Sequence, residues 1–345
     1  MPRSILYRSL ISRSLVSRSL VSRRLILVWS LVFALFLSSF LLSSCTSHEE
    51  SKKSDKIRLS ALNGPTALGL LDLVQNDKYL LTVDGSQDVL LANFSRGDID
   101  IATVPSNTAA ALYNKAKNLQ ILDINTFSPL YIVGDDKIKG ENDVQTWQNI
   151  SQTQICVSGK GSIPNMVLNY LTETFKVKSV LEKIDWQSSP ATCIQKQLAN
   201  RKITALLPEP YAASAVKQLG QAAKLINIGQ EFSQFTGVNI ITGVTIASQN
   251  FINEYPGSVK QFLQDHKDSI QKFKSNPQSF QSSMERYAVY GKDVVNEAAQ
   301  DINIAFSDGQ DAQIKLTAFY AWVEKNQPKL IGQTAPDKAI YYIGN

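Results

Sequence analysis

The sequence is poor in the residues that most often do chemistry. Its 345 residues contain two histidines, His48 and His266, and three cysteines, Cys45, Cys156 and Cys193. No C-x-x-C pair, no H-E-x-x-H and no metal-spaced cluster can be built from them, and G-x-S-x-G is missing as well. Acid–base catalysis would therefore rest on carboxylates alone, and neither a metal nor a cofactor is expected. The stretch Val157–Ser162, VSGKGS, has glycines but lacks the spacing of a nucleotide P-loop and the three-glycine dinucleotide fingerprint. No basic face interleaved with aromatics occurs, so nucleic acid is excluded as a partner.

Basic residues are instead concentrated at the start. The first 44 residues hold Arg3, Arg8, Arg13, Arg18, Arg23 and Arg24 and no acid, and the formal charge falls from +5 to −1 when these six are set aside. They precede the apolar run LILVWSLVFALFLSSFLL, Leu25–Leu42. That run is long enough for a membrane-spanning anchor. The residues after it point elsewhere: LSSC, Leu42–Cys45, resembles the bacterial lipoprotein processing box, and a polar tether, TSHEESKKSDK, comes next. The reading is a signal peptide over 1–44, lipidation at Cys45 and a tether over 45–56, which anchors the chain to the cell envelope without spanning the membrane. Outside the cytosol Cys156 and Cys193 could form a disulfide or stay as two buried thiols.

About 290 residues remain, enough for two lobes with separate cores. From Lys56 short β-rich runs alternate with helical stretches of about ten residues, pause at SPLYIVGDD, and start again at TQICVSG. This is the pattern of βαβ crossovers and mostly parallel sheet. After VNIITGVTIAS the chain reads as long helices, FINEYPGSVKQFLQDHKDSIQKFKS, PQSFQSSMERYAVYG, KDVVNEAAQDI and DAQIKLTAFYAWVEKN, expected to cover the first lobe. The chain would then cross between lobes near Phe127–Gly134 and Gly237–Thr245, making a hinge and a cleft, with lobe one over 57–128 and 243–345 and lobe two over 129–242.

In an open parallel sheet ligands sit outside the carboxyl ends of the strands. The turns there supply the candidate site: Asn63, Gly64, Pro65 and Thr66, then Ser86, then Ser106 and Asn107, then Thr126, then Lys160, Gly161 and Ser162, and finally Glu209. Most are small hydroxyl, amide or glycine residues that let backbone N–H groups approach a ligand. Pro65 suits the first helical position, where its missing N–H costs nothing. Lys160 could place a cation over an anionic group or simply solvate its turn. Glu209 could accept from a ligand N–H or cap the following helix. Phe127, Tyr131, Trp147, Trp186 and Tyr211 are candidates to stack on a ring, with only one or two of them expected to face the cleft.

GPTALGLL, GDIDIATVPSNTAAALYNK, LQILDINTFSPLYIV, ICVSGKGSIPNMVLNYL and ALLPEPYAASAV, in that order behind a lipoprotein leader, resemble the solute-binding proteins of ABC importers. The resemblance is to the branch that handles sulfonate, nitrate, taurine and thiamine precursors, over about residues 56–250. It implies an α/β, two-lobed, periplasmic-binding-protein-like fold of type 2, with two mixed parallel sheets flanked by helices and joined by two hinge strands. It also implies a monomer that binds one small solute and passes it to a permease and its ATPase, with ligand positions at Gly64, Pro65, Thr66, Ser106, Asn107, Thr126, Gly161, Ser162 and Glu209. One departure is Asn165, in GSIPN, where relatives often carry an acid. Against this binding function stand two others, a two-lobed enzyme acting on a small acid and an envelope sensor lipoprotein.

Overall fold

A computed structural model describes residues 56–127, 130–290 and 304–344, all within the compact unit Asp55–Asn345. The leader, Cys45, His48 and the helix expected over 292–302 lie outside the described residues. Among the described residues no helix is long and apolar enough to cross a membrane.

The strands are β1 (Ile57–Leu62), β2 (Tyr79–Asp84), β3 (Ile101–Pro105), β4 (Leu119–Thr126), β5 (Leu130–Asp135), β6 (Gln154–Ser158), β7 (Ile184–Gln187), β8 (Ile203–Pro208), β9 (Ala222–Asn227), β10 (Gly243–Ser248) and β11 (Ile304–Asp308). They form two sheets, ordered β11-β4-β10-β3-β1-β2 and β7-β6-β8-β5-β9. Central strands such as β3, β8 and β10 are almost entirely buried. Helices cover both faces of each sheet, so these strands read as near-continuous apolar runs rather than alternating ones.

Both sheets are mixed, which the alternation of strand and helix does not disclose. β1, β2 and β3 are parallel, whereas β10 lies antiparallel between β3 and β4. In the second sheet β6 runs parallel to β7 and β8, while β5 lies antiparallel between β8 and β9. The cause is the path of the chain: β5 and β10 each enter a sheet from the other lobe and so run against the local direction. The first crossing runs from β4 to β5. The second, Gly237–Thr242, is irregular until it enters β10, and Thr242 N–H donates to Thr126 C=O at 3.1 Å, tying the two crossings together. β11, an edge strand paired antiparallel with β4, falls in the tail that reads as wholly helical.

The stretch TALGLLDLVQ reads as one helix, but the chain forms only a short turn of helix, Pro65–Leu68, and a 3₁₀ turn, Leu73–Gln75. The helix Pro256–Ser275 presses against it so closely that a Cβ on Gly69 would lie 2.8 Å from His266 Nε2 and from Ile270 Cγ1. Along that helix Val259, Phe262, His266, Ser269, Ile270 and Phe273 form the buried stripe, and Lys260, Lys267, Asp268 and Lys272 face solvent. His266, which the sequence places on a charged helix, is thus wholly buried. The last helix, Gly309–Asn326, turns Ala312, Leu316, Phe319, Tyr320 and Val323 inward. Its Trp322 meets Tyr170 and Phe232 of the second lobe edge-on, with ring centroids 5.2 and 4.6 Å apart.

Cys156 on β6 and Cys193 on the helix Pro190–Ala199 are joined in a disulfide, with Cα atoms 5.5 Å apart. Both are fully buried.

Candidate functional site

The carboxyl ends of β1, β3, β4 and β8 and the turn after β6 converge on a cleft of about 440 Å³. Each of these strands ends where its chain must turn into a helix or a crossing, which brings the turns of both lobes to one place. Gly64 has φ 147° and ψ −163°, a combination open essentially to glycine, and this lets Leu62 lead directly into the Pro65 helix start. Asn63 fixes the turn from outside: its Nδ2 donates to Ala288 C=O at 2.6 Å.

Eight expected residues line the cleft: Asn63, Gly64, Pro65, Thr66, Asn107 and Thr126 from the first lobe, and Gly161 and Ser162 from the second. Leu62, Gln87, Pro105, Thr108, Leu130, Ile163, Pro164, Pro208 and Thr242 complete the lining and are not among the candidate residues, although Pro105 and Pro208 stand in the turns that supply them. Several of them were within reach of the same logic, being one or two positions from the turns already marked. Thr242 was not, because only the return path of the second crossing brings it there. No lining side chain among the described residues carries a charge, a thiol or an imidazole. The walls are aliphatic and proline surface, with hydroxyl and amide groups set into it.

Four expected residues sit behind or beside this lining. Ser106 is fully buried, its Oγ donating to Ile241 C=O at 2.5 Å and its N–H to Thr242 C=O at 3.1 Å, so it fastens the second crossing to the first lobe. Ser86 is exposed at the start of the helix Gln87–Arg96. Lys160 is exposed and lies over the Trp186 ring, 5.9 Å from its centroid. Glu209 is 2% exposed; one carboxylate oxygen accepts the Ala213 N–H at 3.1 Å and the other pairs with Lys224. That carboxylate caps the helix Tyr211–Leu219 and is held inside its own lobe.

The aromatic candidates do not line the cleft either. Trp147 is buried, with Nε1 donating to Glu231 at 2.9 Å. Tyr131 and Phe127 lie under Lys224 and Lys315. Tyr211 reaches across to Tyr290 of the first lobe, with ring centroids 5.8 Å apart, and burial raises the pKa of both phenols above the usual range. Asn165 takes the place of the acid expected of relatives: its Oδ1 accepts the Gly161 N–H at 3.0 Å, so an uncharged amide shapes the turn.

Behind the first-lobe wall runs a polar chain that the sequence did not reveal. His266 Nδ1 and Asp123 Oδ2 are 3.1 Å apart, both fully buried. Thr245 Oγ1 donates to Asp123 Oδ1 at 2.9 Å, Asn125 Nδ2 donates to Thr245 Oγ1 at 3.1 Å, and Thr126 Oγ1 donates to Asn125 Oδ1 at 2.9 Å. Gly243 makes room for it, since a Cβ there would come within 2.4 Å of Asn125 Oδ1 and 2.7 Å of Thr66 Cγ2. Among the described residues no group of three or more His, Cys, Asp or Glu is placed to hold a metal ion.

No family model and no curated protein matches the chain. Solved structures do. An ABC transporter protein from Parabacteroides distasonis is similar at TM-score 0.66 and 19% identity, over 83% of this chain and 98% of that one. The periplasmic aliphatic sulphonate binding protein SsuA from Escherichia coli is similar at TM-score 0.63 and 12% identity, over 84% and 93%. The ligand-binding component of an ABC-type import system from Staphylococcus aureus, crystallised with zinc, is similar at 0.57 and 17%, over 82% and 97%. Likeness at these identities speaks for architecture: the chain has the α/β, two-lobed periplasmic-binding-protein fold, with two mixed sheets flanked by helices.

Proposed function

We propose that this protein is the extracytoplasmic solute-binding component of an ABC-type importer, held at the cell envelope by lipid on Cys45. Its lobes, residues 57–128 with 243–345 and residues 129–242, close around one small polar solute and present it to a permease and its ATPase. The observation that carries this reading is the cleft itself. Turns from both lobes meet there, two crossings tied by the Thr242–Thr126 hydrogen bond form its floor, and the described lining holds hydroxyls and amides but no acid, base or nucleophilic thiol. Such a lining binds and orients a molecule without the groups needed to transform it. The leader and the LSSC box support the anchor. Of the expected solutes, sulfonate, nitrate or a heteroaromatic vitamin precursor, the uncharged lining favours one held by hydrogen bonds rather than by a counter-ion.

The test is mass spectrometry of the solute that co-purifies with residues 46–345, followed by thermal shift and small-angle scattering with that solute. A raised melting temperature, a smaller radius of gyration and recovery of the solute unchanged are the expected results. Recovery of a converted product defeats the reading. Radiolabelled palmitate incorporation that survives Cys45→Ala defeats the anchor.

A further inference from the structure

We propose that Tyr211 and Tyr290 form a latch between the lobes, closing one flank of the cleft through an aromatic contact in which no solute takes part. The proposal rests on the reading of the cleft as a solute site, and adds what sets the balance between its open and closed states.

The two flanks of the cleft are held differently. On the side of the last helix one apolar core runs through both lobes: Phe319 and Val323 belong to the same buried cluster as Met166 and Ile241. Trp322 packs against that cluster and meets Tyr170 and Phe232 edge-on. A flank filled in this way serves as a pivot, because parting it would open a void in close-packed interior. On the other flank the cores are separate. Met284, Val289 and Tyr290 belong to a cluster of the first lobe, and Ala212, Ala215 and Leu219 to one of the second. Among the described residues Tyr211 is the one partly buried apolar side chain packed against both.

Each ring is held where it stands. Tyr211 opens the helix Tyr211–Leu219, which the buried Glu209 carboxylate caps through the Ala213 N–H. Tyr290 follows a reversal of the chain at Ala288, whose φ of 51° is a region that residues with a Cβ seldom adopt. The Ala288 N–H donates to Glu285 C=O at 3.2 Å and the Val289 N–H to Met284 C=O at 3.0 Å. Asn63, from the cleft lining, secures the same reversal by donating to Ala288 C=O. The two rings then meet edge to face, with centroids 5.8 Å apart and planes at 73°. The Tyr290 hydroxyl is buried without a partner among the described residues, so it is the ring that makes the contact.

Neither tyrosine lines the cleft, so the contact forms with or without a solute. Separating the lobes on this flank would return both rings to water, and that cost favours the closed arrangement. A solute that binds only between closed lobes has its affinity scaled by the fraction of receptor already closed.

Pulsed dipolar distances between nitroxide labels test this with no solute present. The labels sit on Val89→Cys and Val144→Cys, exposed positions on a helix of the first lobe and a helix of the second. They are carried by residues 46–345, dialysed free of solute, which hold the whole compact unit Asp55–Asn345 and whose own two cysteines are joined to each other. A major short-distance population is expected, with Tyr290→Ala and Tyr211→Ala each lowering its ratio to the long-distance population about tenfold and Tyr290→Phe leaving it unchanged. Tyr211 is only half-buried, so Tyr211→Ala decides the matter where the deeper Tyr290→Ala disturbs folding. Long distances alone before substitution overturn the proposal. So does a ratio that Tyr211→Ala leaves unchanged, or one that Tyr290→Phe lowers as far as Tyr290→Ala. Because no solute enters the measurement, its failure leaves the receptor reading standing, and failure of that reading, shown by a converted product, leaves the distances to decide the latch.

Discussion

The two lobes repeat one pattern of strand and helix and stabilise it by different chemistry. Beneath the first sheet, polar groups are buried and spent on one another, from His266 through Asp123, Thr245 and Asn125 to Thr126. Beneath the second, the matching space between β6 and the helix Pro190–Ala199 is closed by a disulfide among aliphatic side chains, including Val133, Ile194 and Ala205. A disulfide restrains the unfolded chain and holds a lobe together wherever it is placed. A buried hydrogen-bonded chain depends on every one of its members, and here the last of them, Thr126, is among the residues lining the cleft.

The contrast can be broken from either side. The largest effect is expected from Asp123→Leu, which leaves His266 buried without its partner and should cost about 3–5 kcal/mol in chemical denaturation. Hydrogen exchange should place the loss in the first sheet, and equal loss of protection in both sheets would show that the lobes are not distinct in this way. Next, Cys156→Ala with Cys193→Ala removes a cross-link spanning 37 residues and should cost about 3–4 kcal/mol, with the loss of protection confined to the second sheet.

A smaller effect separates the lobes by pH. Glu231, buried beside Trp147, has its pKa raised from 4.5 to about 7, chiefly by burial. The folded protein therefore keeps a proton that the unfolded chain has released between those values. Stability is fullest below pH 4.5 and falls as pH rises through 7, by ~2 kcal/mol for this group once solvent screening is allowed for. Glu231→Gln should flatten that part of the curve, and an unchanged pH profile would assign the slope elsewhere. The smallest effect is on binding: Thr66→Ala with Ser162→Ala, one residue from each wall, should weaken solute affinity about tenfold, ~1.4 kcal/mol, while the melting temperature stays within ~2 °C. Unchanged affinity would mean that these turns do not hold the solute.

Much of the cleft lining is legible in the sequence because it is made of turns. Gly64-Pro65-Thr66, Asn107, Thr126 and Gly161-Ser162 stand where strand periodicity stops, and small polar residues at such stops carry a local signal. Residues that the fold turned aside carry the same signal. Ser106 and Glu209 look like ligand residues in sequence, yet one fastens the second crossing and the other caps a helix and pairs with Lys224. His266 stands among charged residues in the sequence, and its burial, its contact with Asp123 and the approach of Gly69 together show which face of the helix it occupies.

By itself the sequence determined what depends on neighbours along the chain: most of the alternation of strand and helix, the restart of that pattern at β6, and the special backbone of Gly64. The tertiary structure alone decided what depends on pairs far apart in number. Thr245 lies opposite Asp123 because β10 returns from the other lobe and runs antiparallel to β4, and Cys193 meets Cys156 because a helix folds back over β6. Local preferences act over a few residues, whereas a buried hydrogen bond or a closed loop has its energy set by the surroundings that only packing creates.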